Sequence, residues 1–267
     1  MSERLAVRKT YKLWIGGAFV RSESGRHDRA GDFNIPRASR KDVRDAVAAA
    51  RKAFGPWSAR TAYNRGQILY RAAEALESRA SDLGELGEVE QAIDVLLHYA
   101  GWTDKIAPVL GGVNPVAAPF LSFSAPEPTG VVGVVAPEEP ELLGLVGAIA
   151  PALAAGNAVV AICSERWPLV GLDLGEVLAV SDVPGGVVNL LAGRREELAG
   201  ALGAHRDLNA IVDASGDAGL GERLDVLAAE TVKRVLRIGA GSEPREDSLR
   251  RLEALTELKT AWHPIGA

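Results

Sequence analysis

"GVVGVVAPEEPELLGL", Gly130 to Leu145, decides the fold of this chain. Val131, Val132, Val134 and Val135 make an apolar run of strand length, a Pro-containing turn ends it, and Leu142, Leu143 and Leu145 open a helical stretch. A strand that is apolar on both faces belongs in a parallel sheet covered by helices. A strand that turns tightly into a helix is also how a nucleotide-binding α/β unit begins, because the free N–H groups at the helix start attract a phosphate. Yet this turn carries Glu138, Glu139 and Glu141, three carboxylates where an anionic ligand would approach.

Downstream the alternation continues. Strands are expected at Val131–Ala136, Ala158–Ile162, Val187–Leu191, Ala210–Asp213 and Lys233–Ile238, with helices at Leu142–Ala155, Leu169–Val180, Arg195–Ala204 and Leu220–Ala229. This predicts an α/β, Rossmann-type parallel sheet with helices on both faces over residues 131–240, joined by right-handed crossovers. Upstream, residues 108–130 read "PVLGGVNPVAAPFLSFSAPEPTG"; five prolines exclude a central strand and predict a projecting ribbon. Residues 1–107 carry a hairpin at Gly16-Gly17 and three amphipathic helices. The first follows Ser39 and Asp42, spaced as a capping box, and turns Val43, Val47, Ala50 and Phe54 inward. The second spans Tyr63 to Leu86, and the third lies in "EQAIDVLLHYAGWTDKI". Residues 241–267 are a linker with a short helix at Leu249–Ala254 and a terminal strand at Thr256–Trp262, which needs a strand to pair with.

Of the 267 residues, 47% are hydrophobic and 24% charged, with a net charge of −5 and both signs interspersed. That balance excludes a nucleic-acid or polybasic membrane surface. "MSERLAVRKTYKLW" has no secretory h-region, and Leu142–Ala155 is too short to span a bilayer. One cysteine, Cys163, allows no internal disulfide, and four scattered histidines give no metal-ligand spacing. A cytoplasmic protein without a metal is expected. Cys163, following "AVVAI", reads as a buried small hydrophobe. "SGDAGLG", Ser215 to Gly221, keeps a Gly-x-x-x-x-Gly spacing between Gly216 and Gly221 but places Asp217 inside the turn and Asp213 before it. A strand-to-helix turn capped by Ser or Asp is the reading favoured there over a phosphate loop.

At this point the chain resembles the aldehyde dehydrogenase superfamily over most of its length. "LWIGGAFVRSESG" is similar to the family's opening hairpin and "DVRDAVAAARKAFGPW" to its first long helix; "YAGWTDKI" is close to a family signature. "GVVGVVAP", "IAPALAAGNAVV" and "PGGVVNLLAG" resemble cofactor-domain segments, and "ELKTAW" the C-terminal oligomerisation strand. The resemblance implies a dinucleotide site at Glu165, Gly193, Gly216 and Gly221, and an oligomer built through the ribbon and the tail.

The departures from the family pattern carry the function. The family turn Pro-Trp-Asn-Phe-Pro supplies an oxyanion-hole Asn; here Glu139 takes that position, and a carboxylate donates no hydrogen bond. Lys-Pro-Ser-Glu, which holds the adenosine ribose, becomes Ile162-Cys163-Ser164-Glu165. Arg237 stands where the resemblance puts the general-base Glu, and it cannot accept a proton. Between "RIGAG" and the tail strand there is no room for the catalytic domain that bears the nucleophilic Cys.

The glutamates of the turn are expected to cap the following helix in place of a phosphate. They are also expected to repel a dinucleotide by about 3–4 kcal/mol per close like-charge pair at an effective dielectric near 20. No catalytic residue, no cofactor beyond weak NAD(P) and no metal are therefore expected. The favoured reading is a non-catalytic subunit, a pseudoenzyme. It would assemble with a full-length aldehyde dehydrogenase, or with itself, through an apolar face of several hundred Å² that the missing domain leaves bare. Two further readings are a degenerate NAD(P)-sensing module and an enzyme of unidentified chemistry using Glu138, Glu139 or Asp213.

Overall fold

The computed structural model describes residues 9–83 and 86–265. The chain starts with a hairpin of β1 (Leu13–Ile15) and β2 (Ala18–Val20), turning at Gly16-Gly17 as the sequence predicts. A second small hairpin, β3 (His27–Ala30) and β4 (Phe33–Pro36), turns at Gly31; the sequence reading did not foresee it. Helix α1 (Arg40–Ser58) begins on the expected Ser39/Asp42 pair. The Asp42 carboxylate accepts the Ser39 amide at 2.7 Å and its hydroxyl at 2.8 Å, and it also takes Ser22 Oγ and the Glu23 amide, which fixes the helix start to the preceding turn.

Helix α2 (Ala62–Glu77) is shorter than expected: Ser78 and Arg79 close the helix onto Glu74 and Leu76, and Leu83 reaches the core from the following turn. The rest of the expected span, at residues 84 and 85, lies outside the described residues. Helix α3 (Leu86–Trp102) packs along α2, and α4 (Ile106–Leu110) makes the first residues of the ribbon segment helical rather than extended.

The ribbon is β5 (Gly112–Asn114) paired with β6 (Phe120–Pro128). Pro126 and Pro128 sit inside β6 at no cost to the ladder. Their missing N–H groups would point toward β5, which ends opposite Ser124.

Then the α/β layer begins: β7 (Val131–Val135), α5 (Glu141–Ala155), β8 (Ala158–Ile162), α6 (Pro168–Val180), β9 (Val188–Leu191), α7 (Arg195–Gly203), β10 (Ala210–Asp213), α8 (Ala218–Ala229) and β11 (Arg234–Arg237). The five strands run parallel in the order β11-β10-β7-β8-β9, and β1 adds antiparallel to β9 with β2 outside it. Every residue of β7, β8, β9 and β10 is buried, which is the burial that uninterrupted apolar strands require. The hairpin docks through buried Asn189, whose Oδ1 accepts the Gly16 amide at 2.8 Å while its Nδ2 donates to Val159 and Gly186. Gly17 and Gly185 make that approach possible: a Cβ on Gly17 would lie 2.6 Å from Gly185 Cα.

The chain closes with α9 (Ser248–Ala254) and β12 (Thr256–Pro264), which pairs along its whole length with β6. Residues 238–255, the link from β11 to β12, fold back over α5 and α3. Arg251, 1% exposed, donates from Nη1 to Gly147 O at 3.1 Å and from Nη2 to Ser242 Oγ at 2.9 Å. Gly147 O is the carbonyl that residue 151 would serve in a regular helix; Pro151 has no N–H, so the guanidinium supplies the donor. Pro244 lies against Gly147, with its carbonyl accepting Tyr99 Oη at 2.8 Å, and His98 Nε2 meets both Ser248 Oγ and the Trp102 indole N–H.

Leu252 and Leu255 of this segment are fully buried on the core. Large exposed apolar side chains gather instead on the ribbon, at Val113, Phe120, Leu121, Phe123, Leu258 and Trp262. No helix among the described residues is long and apolar enough to cross a membrane.

Candidate functional site

From β7 the chain steps to β8 and β9 on one side, and then crosses to β10 and β11 on the other. In such sheets a ligand binds at the carboxyl ends of the strands where the order reverses. A cleft of about 450 Å³ lies there, between Pro137–Pro140 after β7 and Ala214–Gly216 after β10, with Gly239–Pro244 and Arg251 along its far side. A wider groove of about 670 Å³ on the helical layer, lined by Tyr63, Tyr70 and Leu97 of α2 and α3, is remote from the strand ends.

Glu138 and Glu139 of the turn are both engaged. Glu138 Oε1 pairs with Arg195 Nη1 at 2.8 Å, and its Oε2 accepts Ser164 Oγ at 2.6 Å and the Arg166 amide at 2.9 Å. Glu139 Oε1 pairs with Arg166 Nη1 at 3.0 Å and accepts the Trp167 indole N–H at 3.1 Å. The turn can lie this close to α5 because Gly144 has no side chain: a Cβ there would come within 2.2 Å of Pro137 Cγ. These pairings correct the expected electrostatics. Each carboxylate is balanced by an arginine, so the like-charge penalty on an anionic ligand is smaller than the unpaired value.

The expected helix cap comes from elsewhere. Glu88 Oε1, from α3, accepts the Leu142 and Leu143 amides at 2.6 and 2.9 Å, so the start of α5 is served by a residue 54 positions earlier. The starts of α7 and α8 at this edge are filled in the same way. Glu165 Oε2 accepts the Arg195 amide at the start of α7 at 2.7 Å, and Asp217 accepts the Leu220 amide at the start of α8 at 3.0 Å. Asp213, nearly buried, takes the Ser215 amide and hydroxyl at 3.0 and 2.6 Å. N–H groups that would cradle a phosphate donate to the protein's own carboxylates, so these residues do not fit a pyrophosphate.

Three of the four positions implied for a dinucleotide line two neighbouring hollows that share Arg166. Glu165 and Gly193 line a small crevice of about 140 Å³ beside Asp28 and Pro36, where Glu165 is held by Arg194. Gly216, with a φ of 70°, lies in the main cleft, while a Cβ on Gly221 would meet Asp213 Oδ2 at 3.0 Å and the Arg237 guanidinium at 3.2 Å. Arg237 pairs with Asp225 of α8. Cys163 is buried, its Sγ so close beneath Gly171 that a Cβ there would lie 2.5 Å away, and desolvation pushes the thiol up to about 12. A thiol that stays protonated is no nucleophile at neutral pH. Among the described residues no three of His, Cys, Asp or Glu gather into a metal-binding group.

Sequence reasoning missed Glu88 and Arg251. Pro151 signals an orphan carbonyl at Gly147, but a donor 104 residues away leaves no local trace.

The aldehyde dehydrogenase family model matches residues 28–244, most of the chain. The chain belongs to the aldehyde dehydrogenase family. It is 31% identical over 261 residues to a putative aldehyde dehydrogenase, DhaS, of Bacillus subtilis, covering 89% of this chain and 52% of that protein. It is 34% identical over 251 residues to a 2-hydroxymuconic semialdehyde dehydrogenase of a Pseudomonas strain, covering 85% and 51%. Among solved structures, PnpE of Pseudomonas sp. WBC-3 in complex with nicotinamide adenine dinucleotide superimposes with a TM-score of 0.82 at 31% identity, covering 87% of this chain and 51% of that one. The NAD+ complex of an aldehyde dehydrogenase from Bacillus cereus gives 0.79 at 27%, covering 86% and 50%. The chain spans about half the length of the curated relatives it matches.

Proposed function

We propose that this chain is a non-catalytic member of the aldehyde dehydrogenase family that assembles with, and stabilises, a full-length member. The observation that carries the reading is the Pro137–Pro140 turn. At the position the resemblance gives to an oxyanion donor stands Glu139, whose carboxylate is itself an acceptor held by Arg166 and Trp167. An acceptor there destabilises a developing oxyanion. The position of the base holds Arg237 in an ion pair, the thiol of Cys163 is buried, and residues 238–255 pass from β11 to the tail strand anchored on the core by Pro244, Arg251, Leu252 and Leu255.

The cofactor reading follows from the same edge. Relatives of this fold have been solved with nicotinamide adenine dinucleotide. Here the helix starts are already filled by Glu88, Glu165 and Asp217, so NAD(P) binding is weak. In the double variant E138Q/E139Q both acceptors are retained and two negative charges are lost. NAD affinity measured by calorimetric titration is then expected to rise about 3- to 10-fold. An unchanged affinity would assign the exclusion to the filled helix starts alone.

Assembly is supported by the ribbon, where the large exposed apolar side chains cluster. Co-expression with a full-length family member of the same organism, followed by size exclusion, is expected to give one co-eluting species. Separate elution of the two chains at micromolar concentration would overturn the assembly.

A further inference from the structure

Residues 239–247, which run from the far side of the cleft to the start of α9, form no helix or strand, and of them only Pro244 is buried. A stretch with so few buried apolar contacts depends on its polar anchors and opens at low cost. Those anchors stand on α3. Asp94 pairs with Arg245 Nη1 at 3.3 Å, Tyr99 Oη donates to Pro244 O at 2.8 Å, and His98 Nε2 meets Ser248 Oγ at 2.7 Å. Gly239 and Gly241, the latter with a φ of 74°, lie at the opposite end.

His98 has two partners that compete for one nitrogen. An indole nitrogen only donates, so the Trp102 N–H at 3.1 Å makes Nε2 an acceptor and puts the ring proton on Nδ1. Ser248 Oγ lies 2.7 Å from Nε2 and 2.6 Å from Arg245 O, so its single proton has two acceptors to serve. A second ring proton, on Nε2, opposes the indole N–H and places a positive charge near the Arg245 guanidinium.

We propose that residues 239–247 are a strap along the cleft whose closed position requires a neutral His98, so that acid opens that side of the cleft. The inference does not rest on the assembly reading. Desolvation and then Arg245 lower the His98 pKa, and Glu243 opposes them. The carboxylates of the strap do not share this titration. In Glu243 burial is outweighed by hydrogen bonds from Arg245, and Asp247 is held below the usual carboxylate range by Arg250. Of the other elements on α3, α9 adds Arg250 and buried Arg251, α5 carries only Glu141, and α2 turns Tyr70, Arg71 and Glu74 to the outer groove. A ring whose pKa is lowered in the closed state favours closure above its ordinary pKa of about 6.5 and loses that advantage as pH falls below it.

Hydrogen exchange at the amides of residues 239–247, corrected for the pH dependence of free-chain exchange, reads the opening. In the full chain, opening is expected to be about 2- to 10-fold more frequent at about pH 5.5 than at about pH 7.5. The upper figure, about tenfold, is the limit for a ring of ordinary pKa that stays neutral while the strap is closed. His98→Gln keeps an acceptor for Trp102 and does not titrate, so in it the difference is expected to vanish. NMR titration of His98 carries the test if that variant fails to fold. The ring is expected to titrate below its ordinary range, and Trp102→Phe, which removes the indole donor, is expected to bring it back up. Equal opening at both pH values, the same rise in His98→Gln, or a His98 that titrates at its ordinary value or ignores Trp102→Phe would overturn the inference.

Discussion

Replacing Arg251 with methionine is expected to lower the stability of the folded chain by about 3 kcal/mol, and Tm by roughly 6–12 °C. Methionine keeps most of the volume but supplies no donor. Gly147 O then has no partner, because Pro151 cannot serve it, and Ser242 Oγ loses its guanidinium. Each lost charge-assisted bond is worth about 1.5–3 kcal/mol. Part is recovered, since burial already holds the Arg251 guanidinium below its ordinary pKa and the variant no longer carries that desolvation. The mechanism is separable from simple loss of packing. Pro151→Ala gives the helix its own donor to Gly147 O, so in that background Arg251→Met is expected to cost about 1–2 kcal/mol less. Denaturant unfolding of the four chains reads the coupling; additive effects would show that the carbonyl is not what Arg251 serves.

The α/β layer was legible because its signals are local. Strands such as "AVVAI" and helices such as "PLVGLDLGEVLAV" differ in length and texture, and their bounds match the expected ones within a residue or two. The ribbon was legible from its prolines, and its partner strand from the exposed edge it would otherwise leave. The second helix was overextended because Leu83 keeps the inward position of the helical period from within a turn. At the cleft, the sequence showed Glu138 and Glu139 but not what holds them. Arg195 and Arg166 arrive from the ends of other elements, and the α5 start is served by Glu88 across the fold. Charge in a turn predicts repulsion only while its partners are unknown. The packing of residues 238–255 on α5 and α3 was not legible, because its main apolar anchors, Pro244, Leu252 and Leu255, are spaced too irregularly to announce a covering segment.

The second large effect is on chemistry. Oxidation of an aldehyde through a thiohemiacetal needs a thiolate, an oxyanion donor and a base. Removing one oxyanion donor alone costs a factor of about 10²–10³ in rate; here the one cysteine is a buried thiol, and the positions that the resemblance gives to the oxyanion donor and the base hold a carboxylate and a paired arginine. The most direct test is NAD(P)H formation by the purified chain, without a partner, over a panel of aliphatic and aromatic aldehydes at saturating NAD or NADP. The expected rate equals that of the protein-free control, for the natural chain and for Cys163→Ser alike. A rate that follows the chain through purification and survives Cys163→Ser would contradict the non-catalytic reading, and one abolished by that substitution would make Cys163 the nucleophile after all.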